Sequence, residues 1–341
     1  MLTRNEPTAT IPNVSVIIPF HRLDNYFYSA VDSALKNKGV NLDVVLVADV
    51  PMFPMVPLLE SKYSLQHNLR IVKNNGKGIV SARNTGLHFA RFEYVASLDS
   101  DDLAHENRFF LQARYLDAET ECIAVGSAVH YICPHDTLLG IRRYSRRASS
   151  KSATRFPLLP KVAAPAVMFR RSAVLAAGGY RPNFEYSEDH DLWTRLSIHG
   201  TIHNLEGALT SYRIHAKQVS KVHSAEQFAN AMKANVDRIT HLPDAQNIFE
   251  PDRDAKSVIH LADLLGSRLN RRQKGPLKRV VGYFLVRRPG PKNNAALLRL
   301  ATRFPLQTLA FLVAAVYDIG LSRARNPNFT VCPECSKTLG K

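Results

Sequence analysis

Apolar and polar positions switch between two periods over the first third of the chain. Val14-Ser15-Val16-Ile17-Ile18-Pro19 is a short β-branched run closed by proline, and Asp24 to Leu35 then carries apolar residues at helical spacing. Asp43-Val44-Val45-Leu46-Val47 reads as a second buried strand and Leu69-Arg70-Ile71-Val72 as a third. Gly78 to Ala90 follows as a helix and Tyr94-Val95-Ala96-Ser97-Leu98 as a fourth strand. The order β-α-β-β-α-β predicts an α/β fold, a mostly parallel sheet flanked by helices on both faces. Glu106 to Leu116 continues as a helix and Cys122 to Cys133 as an extended segment.

The fourth strand ends in Asp99-Ser100-Asp101-Asp102. Open α/β folds bind their ligands at the carboxyl edge of the sheet, so a strand that stops in acids delivers carboxylates to that edge. Hard cations take one or two carboxylates and complete their shell with water and phosphate oxygens, so Asp-x-Asp suits a metal-diphosphate site. A solvated turn, with Asp102 capping the next helix, explains the same acids without a ligand.

A second cluster, Ser187-Glu188-Asp189-His190-Asp191-Leu192-Trp193, follows the turn Gly178-Gly179-Tyr180. Ser187 is placed to cap a helix whose first turn holds Glu188 and Asp189, which complements the helix dipole. A carboxylate within reach of a reacting hydroxyl can also take its proton, which makes Asp189 a candidate general base and leaves Asp191 a structural role. Between the two clusters, Ile141 to Arg155 is basic and serine-rich. It reads either as a solvated loop or as an acceptor-side lid containing Arg146 and Arg147.

Charge divides the chain. Of a formal +16, +13 lies between Arg268 and Lys341, where fifteen lysines and arginines meet only Asp318 and Glu334. The expected organisation is a catalytic domain over residues 1–224 and a basic helical C-terminal extension over 225–341. The longest apolar run of the extension, Leu309 to Tyr317, falls short of the ~20 residues that span a bilayer. Short apolar helices flanked by arginine suit the surface of an anionic membrane, which is the preferred reading, with a helical hairpin packed on the catalytic domain as the alternative. Nucleic-acid binding by the tail has no recognition motif to support it.

Residues Met1 to Pro12 are polar, which predicts no secretory leader, and the four cysteines do not form a disulfide framework. The expected location is therefore the cytoplasm, peripheral to the cytoplasmic face of the membrane. Cys332-Pro333-Glu334-Cys335 offers half of a zinc site, and no second pair with suitable spacing follows it.

The ordered series Val14 to Pro19, Gly78-Ile79-Val80-Ser81-Ala82-Arg83-Asn84-Thr85-Gly86, Leu98 to Asp102, Phe169-Arg170-Arg171-Ser172, Gly178-Gly179-Tyr180, Glu188 to Trp193 and Ser211-Tyr212-Arg213-Ile214-His215 resembles the family 2 glycosyltransferases. The resemblance covers about residues 12–222. It implies the GT-A (Rossmann-like) fold and inverting transfer of a sugar from a nucleotide-diphosphate donor to a hydroxyl, on a polysaccharide or a lipid-linked saccharide. It also implies a divalent cation, Mn²⁺ or Mg²⁺. By position Asp101 matches the metal-binding acid and Asp189 the base, while Pro19, Asp49, Arg83 and Asp99 fall on the donor side. His215 matches a late metal or phosphate contact, and Glu188 and Trp193 fall near the acceptor. One departure stands out: where the family has two acids and a glycine after its second strand, this chain has Ala48-Asp49-Val50-Pro51. The change bears on nucleotide identity, and a degenerate sugar-nucleotide-binding subunit is the alternative it raises.

Overall fold

The computed structural model describes residues 10–148, 162–215 and 218–223, isolated positions between 226 and 237, and Cys332. Its elements run β1 (Asn13–Phe20), α1 (Asn25–Leu35), β2 (Asn41–Ala48), α2 (Val56–Lys62), β3 (Leu69–Lys73), α3 (Gly78–Phe89), β4 (Tyr94–Ser97), β5 (Leu103–Ala104), α4 (Arg108–Ala118) and β6 (Cys122–Ile132). They continue as β7 (Leu138–Arg142), β8 (Met168–Arg170), α5 (Arg171–Ala176), α6 (Glu188–Leu196), β9 (Thr201–Arg213) and α7 (Val219–Val222). The basic extension, apart from these few positions, lies outside the described residues, as does the serine-rich part of the loop after Ala148.

The strands form one mixed sheet in the order β3-β2-β1-β4-β8-β6-β9-β5, with β7 paired to β6 off that path. The expectation of a mostly parallel sheet holds for β3, β2, β1 and β4, all parallel neighbours. It does not hold for the second half. There β8 runs antiparallel to both β4 and β6, β5 antiparallel to β9 and β7 antiparallel to β6, while β6 and β9 pair in parallel. β8 has three residues and β5 two, too few to show a period in sequence.

Alternation along β1 explains why both faces are covered. Val14, Val16 and Ile18 point to one side, where Phe27 and Val31 of α1 and Phe109 and Leu116 of α4 bury them. Ile17 points to the other, with Val80 and Leu87 of α3 and Leu192 and Trp193 of α6. Gly86 sets the closeness of that second layer, because a Cβ there would stand 2.3 Å from Ile17 Cγ2. With no side chain in between, α3 lies directly on β1 and carries Arg83 to the sheet edge where β4 ends.

Candidate active site

A cleft of about 740 Å³ opens at the carboxyl ends of β1, β2 and β4, a volume in the range of small-molecule sites. Pro19 closes β1 there, Asp49 follows β2, and Asp99 and Asp101 follow β4. Arg83 enters from α3, Glu188 and Asp189 from the first turn of α6, and His215 from the segment after β9. These eight sequence candidates therefore share one cavity.

Arg83 is buried, and its guanidinium is committed to protein partners. It donates to Ser97 Oγ (2.9 Å) and Asp99 Oδ1 (3.1 Å), and its Nε pairs with Glu188 Oε1 at 3.2 Å. The Tyr180 ring lies 5.7 Å from its guanidinium carbon. Burial works against the charge, but Asp99 and Glu188 outweigh it and hold the guanidinium more basic than usual. The resemblance placed Arg83 on the donor side, and it lines the cleft while joining two cleft carboxylates from opposite sides of the fold.

Negative charge is concentrated beyond what Arg83 neutralises. Burial raises the Asp99 carboxyl, and the charges of Asp101 and Asp189 raise it further against the opposing pull of Arg83. Burial pushes Glu188 up to about 7, with Asp189 and Asp99 adding to the effect. Asp102, expected as a possible helix cap, is buried behind Asp101, where its Oδ1 accepts from the Arg213 backbone N–H at 2.8 Å. Its Oδ2 has no hydrogen-bond partner, and burial pushes its carboxyl well up. Arg108, also fully buried, is pushed down to about 9 by burial and donates to the Ser97 carbonyl at 2.7 Å.

Asp101 Oδ2 stands 2.8 Å from His215 Nε2, both partly open to the cleft. No group of three metal-ligating side chains assembles among the described residues. One carboxylate and one imidazole, beside raised carboxyls and an orphaned carboxylate oxygen, nevertheless fit a divalent cation that draws its remaining ligands from a diphosphate. Arg213 fixes this corner. Its Nε donates to the Asp101 carbonyl (2.9 Å) and its guanidinium lies 4.3 Å over the Tyr26 ring.

Asp189 stands at the second position of α6 and faces the cleft. The expected cap is not formed: the Ser187 hydroxyl donates to the Gln227 carbonyl (2.6 Å), tying the start of the helix to the segment after α7. Tyr186, which also lines the cleft, adopts φ +65° and stacks on His223 with ring centroids 4.0 Å apart. A left-handed non-glycine residue next to the first turn of α6 is backbone strain held by these contacts. Asp191 turns inward to Arg181 and Arg195, the structural role expected of it.

Other candidates fall elsewhere. Trp193 is 1% exposed and packs on Phe169 in the core, so its position in the motif reflects the buried face of α6 rather than the acceptor. Arg146 and Arg147 do not line the cleft. They run beside β9, where the Arg146 carbonyl accepts from Asn204 N–H (2.7 Å) and Arg147 bridges to His203. Instead Arg142 and Tyr144, a few residues earlier, form the wall opposite the acids together with Tyr131 and Tyr212. The rings of Tyr131 and Tyr212 meet edge to face at 5.7 Å, and Arg142 lies 5.6 Å over Tyr144. Burial pushes the Tyr144 hydroxyl well above its usual range. The basic loop gave the region, but the choice within it needed the β6–β7 pairing.

The altered segment after β2 forms a 3₁₀ turn (Val50–Met55), started by Pro51, in place of a flexible glycine turn. Asp49 Oδ1 accepts from Asn74 Nδ2 (3.0 Å) and Gly78 N–H (3.3 Å), and Asn74 Oδ1 in turn accepts from Ser81 (2.7 Å) and Thr85 (3.2 Å). The single remaining acid is therefore fixed by the loop before α3.

A half-parallel sheet with acids at the β4 edge, a large cleft and a carboxylate on a helix that lines it is the arrangement of the GT-A fold. Residues 15–176 match the model of "Glycosyl transferase family 2". Those residues form a family 2 glycosyltransferase domain. It is 26% identical over 243 residues to an uncharacterized glycosyltransferase of Haemophilus influenzae, covering 67% of this chain and 74% of that one. It is 27% identical over 214 residues to the O-antigen biosynthesis glycosyltransferase WbnJ of Escherichia coli, covering 61% and 82%. Among solved structures, Staphylococcus aureus TarS 1-349 superposes with a TM-score of 0.53 over 90% of this chain and 92% of that chain. At 16% identity that likeness concerns the fold. The family match ends before α6, so Asp189 and His215 stand on geometry.

Proposed function

We propose that the enzyme moves a sugar from a nucleotide-diphosphate donor to an acceptor hydroxyl with inversion at the anomeric carbon. The observation that carries this reading is the shared cleft with Asp101 and His215 in contact on one side and Asp189 at the start of the facing helix. Asp189 takes the acceptor proton as the hydroxyl oxygen bonds to the anomeric carbon, and the bond to the diphosphate oxygen breaks on the opposite face. Asp101 and His215 would hold a divalent cation, which would supply charge neutralisation to the leaving diphosphate. Asp99, held by Arg83, is placed toward the donor sugar and ribose, and Asp49 with Pro19 toward the nucleoside.

The donor class follows the solved TarS complexes with UDP-GlcNAc and UDP, which support testing UDP-sugars first. The acceptor class follows relatives named for O-antigen and amylovoran biosynthesis, which support a saccharide in a bacterial polysaccharide pathway. The test is release of nucleoside diphosphate from a panel of donors with saccharide and lipid-linked saccharide acceptors, followed by NMR assignment of the new anomeric centre. Inverted product is expected, and retained configuration would overturn the direct displacement. Among the described residues no helix is long and apolar enough to cross a membrane. The basic extension is proposed to dock on anionic lipid, so full-length protein should sediment with anionic vesicles and protein truncated before Arg268 should not. Full-length protein indifferent to vesicles removes that role.

A further inference from the structure

Three arginines line the cleft: Arg22, Arg83 and Arg142. Arg22 pairs with Asp24 at 2.8 Å, and Arg83 is divided between Asp99 and Glu188. Arg142 alone of the three has no carboxylate partner among the described residues. Its guanidinium carbon lies 5.6 Å from the Tyr144 ring centroid, and its donors reach the Tyr131 and Tyr144 hydroxyls. Burial pushes both phenols up, so they stay neutral and give the cation no counter-charge.

Sheet register explains the placement. Arg142 ends β7 opposite Val129 of β6, and Tyr131, two residues further along β6, stands opposite Tyr212 of β9. Directly opposed residues share a face of the sheet, and so do residues two apart on one strand. Arg142, Val129, Tyr131 and Tyr212 therefore line the cleft together, on the wall across from the acids. A guanidinium is a planar fork of donors that matches two oxygens of a carboxylate or a phosphate, and such pairs are stronger than bonds between neutral groups. Beside aromatic faces that suit a sugar ring, the fork is placed to meet an acidic substituent on that sugar. The donor diphosphate has its own partner in the proposed mechanism, on the side of Asp101 and His215. A cationic group on the far wall answers to a second anion.

We propose that Arg142 reads the acceptor, and that the acceptor is an acidic saccharide whose carboxylate or phosphate pairs with its guanidinium. The inference deepens the transferase reading and rests on it for the assignment of the two walls. A neutral saccharide of the same backbone leaves the guanidinium desolvated without a charged partner, so the site discriminates against it.

The test is binding of fluorescently labelled full-length protein, loaded with UDP and Mg²⁺, to an array of bacterial oligosaccharides in matched pairs. One set pairs uronate-bearing chains with their carboxyl-reduced alcohols, and the other pairs phosphate-bearing chains with their dephosphorylated forms. Wild type should bind the acidic members of at least one set about tenfold tighter, and the set concerned distinguishes carboxylate from phosphate. Arg142→Gln should lose the preference, and Arg142→Lys, which keeps the charge without the fork, should recover part of it. Arg114→Gln removes the same unit of charge from an exposed position of α4 and should keep the preference, which separates the site from attraction to the chain's net +16. Equal binding of acidic and neutral members by wild type overturns the proposal even if Arg142→Gln fails to fold. So does a preference undiminished in folded Arg142→Gln, or lost as fully in Arg114→Gln. A preference that appears only without UDP also overturns it, by placing Arg142 on the donor diphosphate. The array reads binding without turnover, so its result is separate from the release of nucleoside diphosphate on which the transferase reading stands.

Discussion

On one side of the cleft the wall is built from the carboxyl ends of three parallel strands, β1, β2 and β4, with Asp49, Asp99 and Asp101 within a few residues of strand ends. On the other it comes from β6, β7 and β9, antiparallel or parallel partners whose Tyr131, Arg142 and Tyr212 point in from mid-strand or strand-end positions. The first wall is acidic and held by buried arginines. The second is aromatic, with Arg142 against Tyr144. Parallel strands stop together at one edge, so a ligand there meets loops and helix starts that can gather charge. A sheet that turns back on itself presents side chains from its faces, which suits the stacking of a sugar ring on aromatic surfaces.

Breaking the acidic wall should give the largest effects. Asp189→Asn keeps the shape of α6 but removes the proposed base. Turnover should fall by roughly 10²–10⁴-fold while donor affinity changes little, measured by steady-state kinetics beside donor titration. If Asp191→Asn instead proves the more damaging to turnover in a folded protein, the two acids have been assigned the wrong way round.

Arg83→Leu comes next. It leaves Asp99 and Glu188 without their shared partner, and breaking a buried ion pair from one side costs about 3–5 kcal/mol. A chemical-denaturation midpoint close to wild type would show that the clamp is dispensable. On the aromatic wall, Tyr144→Ala should raise the acceptor KM by about tenfold, the scale of one aromatic contact, with the donor KM unchanged. An equal rise in donor KM would merge the two walls into one site.

The smallest effect is a pH slope. Glu188 titrates near 7 in the folded protein and near 4.5 as a free side chain. Between those values the folded state holds a proton that the unfolded state has released, so its contribution is present below about 4.5 and is lost as pH rises toward 7. Metal-free wild type should therefore lose thermal stability across that window relative to Glu188→Gln, and parallel melting profiles would contradict the assignment.

The contrast also explains what could be read from sequence. The acids were legible because Tyr94 to Leu98 is a buried run that stops at Asp99, and a strand end is a place a pattern can locate. Arg83 was found as a site residue, but its ion pairs were not legible, because its partners come from the end of β4 and from α6, a hundred residues further on. Trp193 was misassigned because motif proximity to Asp189 does not say which face of a helix a residue occupies, and that face is the core. Tyr131 carries no local signal, and Tyr212 was quoted only within the motif Ser211 to His215 and given no role. They become neighbours only through the register that sets Tyr131 opposite Tyr212 across β6 and β9.

The central claim is that Asp101, with His215, holds a cation that binds the donor diphosphate. Calorimetric titration of UDP into wild type and Asp101→Ala, each with Mn²⁺ and with chelator, tests it directly. Wild type should bind at least about tenfold tighter with metal, a difference of ~1.4 kcal/mol, and Asp101→Ala should lose that gain while remaining folded. Equal affinity with metal and with chelator in wild type, or an undiminished gain in the variant, would contradict the account.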